Sequence, residues 1–198
     1  MNQKPIYIVL TDTGTLLSRA IGWYTGKELN HASLSFDADL DEVYSFGRKE
    51  PNNPFIGGFV RENLASDWFL NNPRGVNCAI FRCDVTELAY RRIRQYIASI
   101  EATQDRYTYN LIGLFGVAAN VRIEREHAFF CSQFVSTALA EGGISLAAKP
   151  ACLTTPQDLI SSDQLRLVYQ GTLLHYFSLI ESPHWLQFCY TDRMESIS

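Results

Sequence analysis

Two residues a hundred positions apart carry the reactive side chains of this chain, Cys131 and His31. Cys131 stands in Phe129-Phe130-Cys131-Ser132-Gln133-Phe134-Val135, a run that ends at Gly142-Gly143 and reads as the first turn of a helix. Such a position carries partial positive charge and unpaired N–H groups, which favour a thiolate over a thiol. The thiolate is the form that attacks carbonyl carbon. His31 lies in Asn30-His31-Ala32-Ser33-Leu34-Ser35-Phe36, whose alternation reads as a strand. Its small neighbours Ala32, Ser33 and Ser35 let a second element approach closely. A thiol–imidazole pair works because the base takes the thiol proton and later gives it to the leaving group.

Each residue has a plainer reading. A free cysteine usually packs as a small hydrophobe, and a lone histidine near a strand start is more often a hydrogen-bonded surface or core residue. Ser132 and Gln133, polar among phenylalanines, favour a helix start that faces something wet. Cys78 and Cys83 sit in a β run, and Cys152 and Cys189 have no helix start or histidine beside them. His127 lies in a charged segment, and His175 and His184 near the C-terminus. A third group that orients the imidazole is expected on the next strand. Glu42 and Ser45 are the options there, on opposite faces, and Glu62 on a later strand is an outside candidate. The oxyanion donors are the Cys131 N–H with Tyr107 or Ser132; for Tyr107, aromatic packing is an equal alternative.

The elements that must position these residues follow from periodicity. Ile6–Leu10 is an apolar strand, and Thr15–Trp23 has helical spacing. Val43–Phe46 is a second strand able to pair with the histidine strand. Residues 47–58, with Gly47, Pro51, Pro54, Gly57 and Gly58, read as an irregular loop. Phe59–Glu62, Val76–Cys83 and Leu165–Gly171 are further strands. Thr86–Ile100 is the clearest helix, with Leu88, Ile93, Tyr96, Ile97 and Ile100 as its apolar side. Tyr107–Val117 is a short helix or loop, Ala128–Ala140 the cysteine helix, and Thr155-Pro156 a capped helix start. The order predicts an α+β fold. It is a single domain over 1–198, with a core at about 5–171 and a C-terminal tail, 172–198, packed on it.

With 46% apolar and 19% charged residues, a large core is expected and global disorder is not. A net charge of −4 without a Lys/Arg block argues against nucleic-acid binding. Five cysteines without a CxxC or a Cys/His ligand spacing read as reduced thiols of a cytoplasmic protein, not a disulfide frame or zinc site. No signal-peptide apolar region and no run of roughly 18 apolar residues is present. The acidic stretch Asp37–Glu42 lacks the spacing of a calcium loop and reads as a solvated turn. No phosphate or dinucleotide glycine motif follows a strand, so no cofactor and no metal are expected.

Taken together, the His31 strand, a polar residue on the next strand, Tyr107-Thr108-Tyr109-Asn110, Phe130-Cys131-Ser132-Gln133-Phe134-Val135 and Thr155-Pro156-Gln157-Asp158-Leu159 resemble the circularly permuted branch of the NlpC-type papain-like superfamily. Bacterial YiiX-like proteins and lecithin:retinol acyltransferase-like enzymes belong to that branch. In it the histidine strand precedes the cysteine helix, as here. The resemblance implies a papain-like fold with an antiparallel sheet against the nucleophile helix. It implies thiol-dependent cleavage or transfer at an amide or ester carbonyl. By position it makes Cys131 the nucleophile, His31 the base, Ser45 the orienter and Tyr107 a residue near the oxyanion. It departs at Ser45, where relatives more often carry His, Glu, Asp, Asn or Gln. The leading expectation is a cysteine peptidase or amidase acting on a peptide, γ-glutamyl or peptidoglycan-type amide. A lipid acyltransferase or thioesterase, with Phe55, Phe59, Trp68 and Phe69 lining an acyl groove, is the alternative. A non-catalytic binding module that kept the fold is the third reading.

Overall fold

The computed structural model describes residues 3–12, 29–48, 57–73 and 75–181. The helix expected over Thr15–Trp23, the centre of the 47–58 segment with Phe55, and the tail residues His184, Trp185, Phe188, Cys189 and Tyr190 lie outside the described residues.

The fold is mixed α and β. Strands β1 (Gln3–Thr11), β2 (His31–Ser35), β3 (Val43–Arg48), β4 (Gly57–Glu62), β5 (Asn77–Thr86) and β8 (Arg166–Thr172) form one sheet in the order β4-β3-β2-β1-β5-β8. Every neighbouring pair is antiparallel. Two short strands, β6 (Thr108–Tyr109) and β7 (Ala128–Phe129), pair in parallel just before the cysteine helix. The helices are α1 (Asp67–Leu70), α2 (Glu87–Glu101), α3 (Leu111–Ala119), α4 (Cys131–Glu141), α5 (Pro156–Ile160) and α6 (Leu173–Ile180). Among the described residues no helix is long and apolar enough to cross a membrane.

β1 is central and apolar without alternation because both of its faces are covered. Ile6, Ile8 and Leu10 join one core with Ala32, Leu34, Phe46 and Phe59 of the sheet, Ile93 and Ile97 of α2, and Phe134, Val135 and Ala138 of α4. Tyr7 and Val9 join a second core on the opposite face, closed by Leu64, Leu173 and Tyr176. α6 therefore lies within residues expected only as a tail, and it carries part of that second core.

Three local expectations need correction. The buried stripe of α2 is Ala89, Ile93, Ile97 and Ile100, while Leu88 is exposed. One residue is about 100° of helix rotation, so a stripe that contains Ile93 and Ile97 selects Ala89 over its neighbour. The ends of the 47–58 loop are strand: Gly47 pairs with Gly58, and Arg48 with Gly57. A Cβ on Gly57 would stand 2.8 Å from the Gly47 carbonyl oxygen and from Tyr109 Cβ, so this crossing of β3, β4 and β6 admits only glycine. The cysteine helix begins at Cys131, not at Ala128, because Ala128–Phe129 is taken up by pairing with β6.

Phe134 seats α4 on the sheet, with its ring 5.1 Å from Phe46 and 5.9 Å from Phe59, and it is fully buried. Phe134→Ala is expected to lower the unfolding free energy by about 3–5 kcal/mol, measured by urea denaturation. A loss below about 1 kcal/mol would mean that α4 is not held by this contact.

Candidate active site

Cys131 is the first residue of α4. The chain is extended up to Phe130, whose backbone is in the β region, and β7 pairs with β6 immediately before it. α2, α3, α5 and α6 each begin with a Thr or Asn side chain that accepts a first-turn N–H. α4 begins with Phe130, which has no acceptor. Gln133 compensates partly, as its Oε1 reaches back to the Phe130 N–H at 3.4 Å and also accepts from Asn110 Nδ2 at 3.4 Å. The N-cap residue of α4 thus supplies no side-chain acceptor to the first turn. The Ser132 N–H hydrogen-bonds the Cys131 sulfur.

His31 is the first residue of β2 and opposes Thr11 of β1. The β2–β3 ladder holds only two pairs, Leu34–Tyr44 and Ser35–Val43, although β3 runs on to Arg48. Phe36 N–H donates to the Glu42 carbonyl at the turn, so the hydrogen-bonded pairs of this ladder fall at residues 36, 34 and, had it continued, 32. Ala32 N–H instead faces the Cys131 sulfur and favours its thiolate. α4 thus places its first residue where β2 and β3 separate. Strand alternation sets Ala32, Leu34, Phe46 and Phe59 toward α4 and sets His31, Ser33, Ser45 and Glu62 together on the other side.

His31 hydrogen-bonds Cys131 and, through Nε2, Glu62 Oε1 at 2.7 Å. That leaves Nδ1 for the sulfur. Glu62 Oε1 also accepts from Ser33 Oγ at 3.2 Å and from Ser45 Oγ. The side chains of His31 and Glu62 are 14% and 9% exposed, and Cys131 is 4% exposed, so little water screens them. Burial opposes the His31 imidazolium, but the Glu62 carboxylate and the sulfur outweigh it and raise the His31 pKa to about 10. Burial also opposes the Cys131 thiolate. The hydrogen bond and charge of His31, with the two backbone N–H groups, still bring the thiol below its ordinary value. Glu62 is likewise lowered, since His31 and the two serines outweigh its burial. Cys83 and Cys152 are pushed up by burial, and Cys78 up to about 12.

The structure brings Cys131 and His31 together. It does not place Ser45 on the imidazole, because the Ser45 hydroxyl donates to Glu62, and Glu62 is the group on His31. Glu42 turns away to a bidentate pair with Arg94 at 2.8 and 3.1 Å. Tyr107 is part of an aromatic cluster with Phe129, Phe46 and His127, at centroid distances of 6.1, 6.0 and 5.0 Å. It makes no hydrogen bond to Cys131 or His31. The Ser132 hydroxyl donates to the Thr154 carbonyl at 2.7 Å, so its proton is committed to joining α4 to the segment before α5. Asp37 receives the Asp41 and Glu42 N–H groups at 2.8 and 2.9 Å, which makes the acidic stretch a side-chain-capped turn. Among the described residues no cluster of His, Cys, Asp and Glu has the make-up of a metal site.

Ser33 and the Ala32 N–H were not legible as site components, and Gln133 and Asn110 stood in the quoted motifs without a role of their own. Ser33 and Ala32 read only as small residues. The signal for Gln133 was its position three residues after a residue without a capping side chain. Compared with models of known families and with curated proteins, the chain matches none significantly.

Because the Cys131 thiol is lowered, its thiolate persists below the ordinary value of about 8.5. The thiolate ultraviolet absorbance of the protein, minus that of Cys131→Ala, is expected to titrate with a midpoint below that value. A difference signal centred at the ordinary value would mean that no ion pair forms.

Proposed function

We propose that this chain is a thiol-dependent amide hydrolase of the permuted NlpC-type papain-like class. The observation that carries the reading is the buried series Cys131–His31–Glu62, set against a helix start without a cap. The substrate class that fits is the amide of a peptide, γ-glutamyl or peptidoglycan-derived fragment. The Cys131 thiolate attacks the carbonyl carbon, and the oxyanion that forms is held by the Cys131 N–H. The Nδ1–H of His31 then protonates the departing amine, leaving a thioester on the sulfur. Water attacks the thioester as His31 takes its proton, the acid leaves, and the thiolate–imidazolium pair is restored. Glu62 holds the imidazole orientation and favours its charged form.

Two observations support this reading over the others. A binding module was favoured by a neutral orienting residue, and the group on His31 is a carboxylate. An acyl groove called for Phe59, Trp68 and Phe69 to line one surface. Phe59 is instead buried against Tyr44, Phe46 and Phe134, and Trp68 and Phe69 pack edge to face on α1.

A panel of peptides, γ-glutamyl amides and peptidoglycan stem fragments tests the proposal by amine release and intact mass. Turnover is expected with an acyl adduct on Cys131. It is expected to vanish in Cys131→Ala and to drop at least about 10²-fold in His31→Ala. Turnover that survives in Cys131→Ala, or no Cys131-dependent turnover across the panel, overturns it.

A further inference from the structure

Glu62 belongs to the edge strand β4, two strands away from His31 in the order β4-β3-β2. To reach the imidazole its side chain crosses β3. Ser45 of β3 and Ser33 of β2 stand along that path, on the same face, and both are fully buried. A carboxylate has two equivalent oxygens that together accept about four hydrogen bonds. The three donors here, His31 Nε2, Ser33 Oγ and Ser45 Oγ, all fall on Oε1. Oε2 is buried and has no partner among the described residues. Three donors gathered on one oxygen hold that oxygen beside the imidazole. Neither hydroxyl serves a turn or a cap. Ser35, the next serine on that face of β2, does so: it donates to the Asp37 carbonyl at 2.9 Å.

We propose that Ser33 and Ser45 are positioning residues, a pair of hydroxyls that turns one oxygen of Glu62 toward His31 and keeps it there. The inference rests on the proposed catalytic roles of Cys131, His31 and Glu62. The hydroxyls touch neither sulfur nor substrate and act through the carboxylate. Without them Glu62 loses two donors to its charged form, becomes a poorer partner for the imidazolium, and the thiolate forms less readily. The titratable groups that face one another here are Glu62 from β4, His31 from β2 and Cys131 from α4.

The thiolate titration, read against Cys131→Ala, tests this in Ser33→Ala, Ser45→Ala and the double variant, with Glu62→Gln as the limit. The double variant is expected to raise the midpoint by about one pH unit, which is about tenfold less thiolate at a fixed pH below the midpoint. Each single variant should give part of that shift. On a substrate found in the panel, kcat should fall while KM stays nearly constant. Ser45→Thr, which keeps the hydroxyl, is expected to hold the wild-type midpoint. A purely structural role would lower the melting temperature and leave the midpoint in place. A depressed wild-type midpoint that neither folded single variant moves overturns the serine inference alone. An ordinary wild-type midpoint overturns the catalytic reading with it.

Discussion

The site depends on a ladder that stops early. β2 and β3 pair at Leu34–Tyr44 and Ser35–Val43 and then part, while β1 keeps pairing with β2 as far as His31. A backbone N–H that would have bonded a neighbouring strand is thereby released at Ala32, and it favours the thiolate form of Cys131. A continued ladder would satisfy that donor and close the gap. The aromatic packing of Phe134 on Phe46 and Phe59 holds α4 at that gap. Gln157 fastens the chain just ahead of β2, donating to the Leu29 carbonyl at 2.6 Å.

Within the gap Cys131, His31 and Glu62 stand in series, each favouring the charged form of its neighbour. None of the three would hold its charge alone at this depth, because burial works against each. Buried ion pairs of this kind add little to stability, since desolvation offsets most of the attraction. They persist because the surrounding cores over-determine the backbone. The uncapped start of α4 has the same character. α2, α3, α5 and α6 use a side chain to satisfy a first-turn N–H, whereas α1 and the cysteine helix α4 do not.

What the sequence disclosed follows the range of the interactions. The cysteine at a helix start, the Thr155 cap and the Ile93–Ile97 stripe are local patterns, readable from spacing within a turn or two. The α+β class and its antiparallel neighbours followed from short strands placed close together. Glu62 could only be an outside candidate, because its contact with His31 depends on the register of β4 on β3 and on a side chain that crosses a strand. Ser45 was an option for the group on the imidazole, but its hydroxyl goes to Glu62 on β4 and not to His31 on β2. Tyr107 carried two equal readings, and only the tertiary positions of Phe46 and Phe129 separate them. Gly47 and Gly58 were loop residues by composition and strand residues by pairing, since a close crossing of backbones calls for glycine as much as a turn does.

His31, Glu62 and Cys131 reach one another only after the sheet is registered and the cysteine helix has settled on it. In a chain still being synthesised, or one that has lost its tertiary packing, no imidazolium stands beside the sulfur and no freed strand donor points at it. Such a chain carries five ordinary cysteines, mostly protonated at neutral pH and slow toward electrophiles and oxidants. The neighbours that favour a thiolate at Cys131 therefore arrive together with the completed fold and disappear with it.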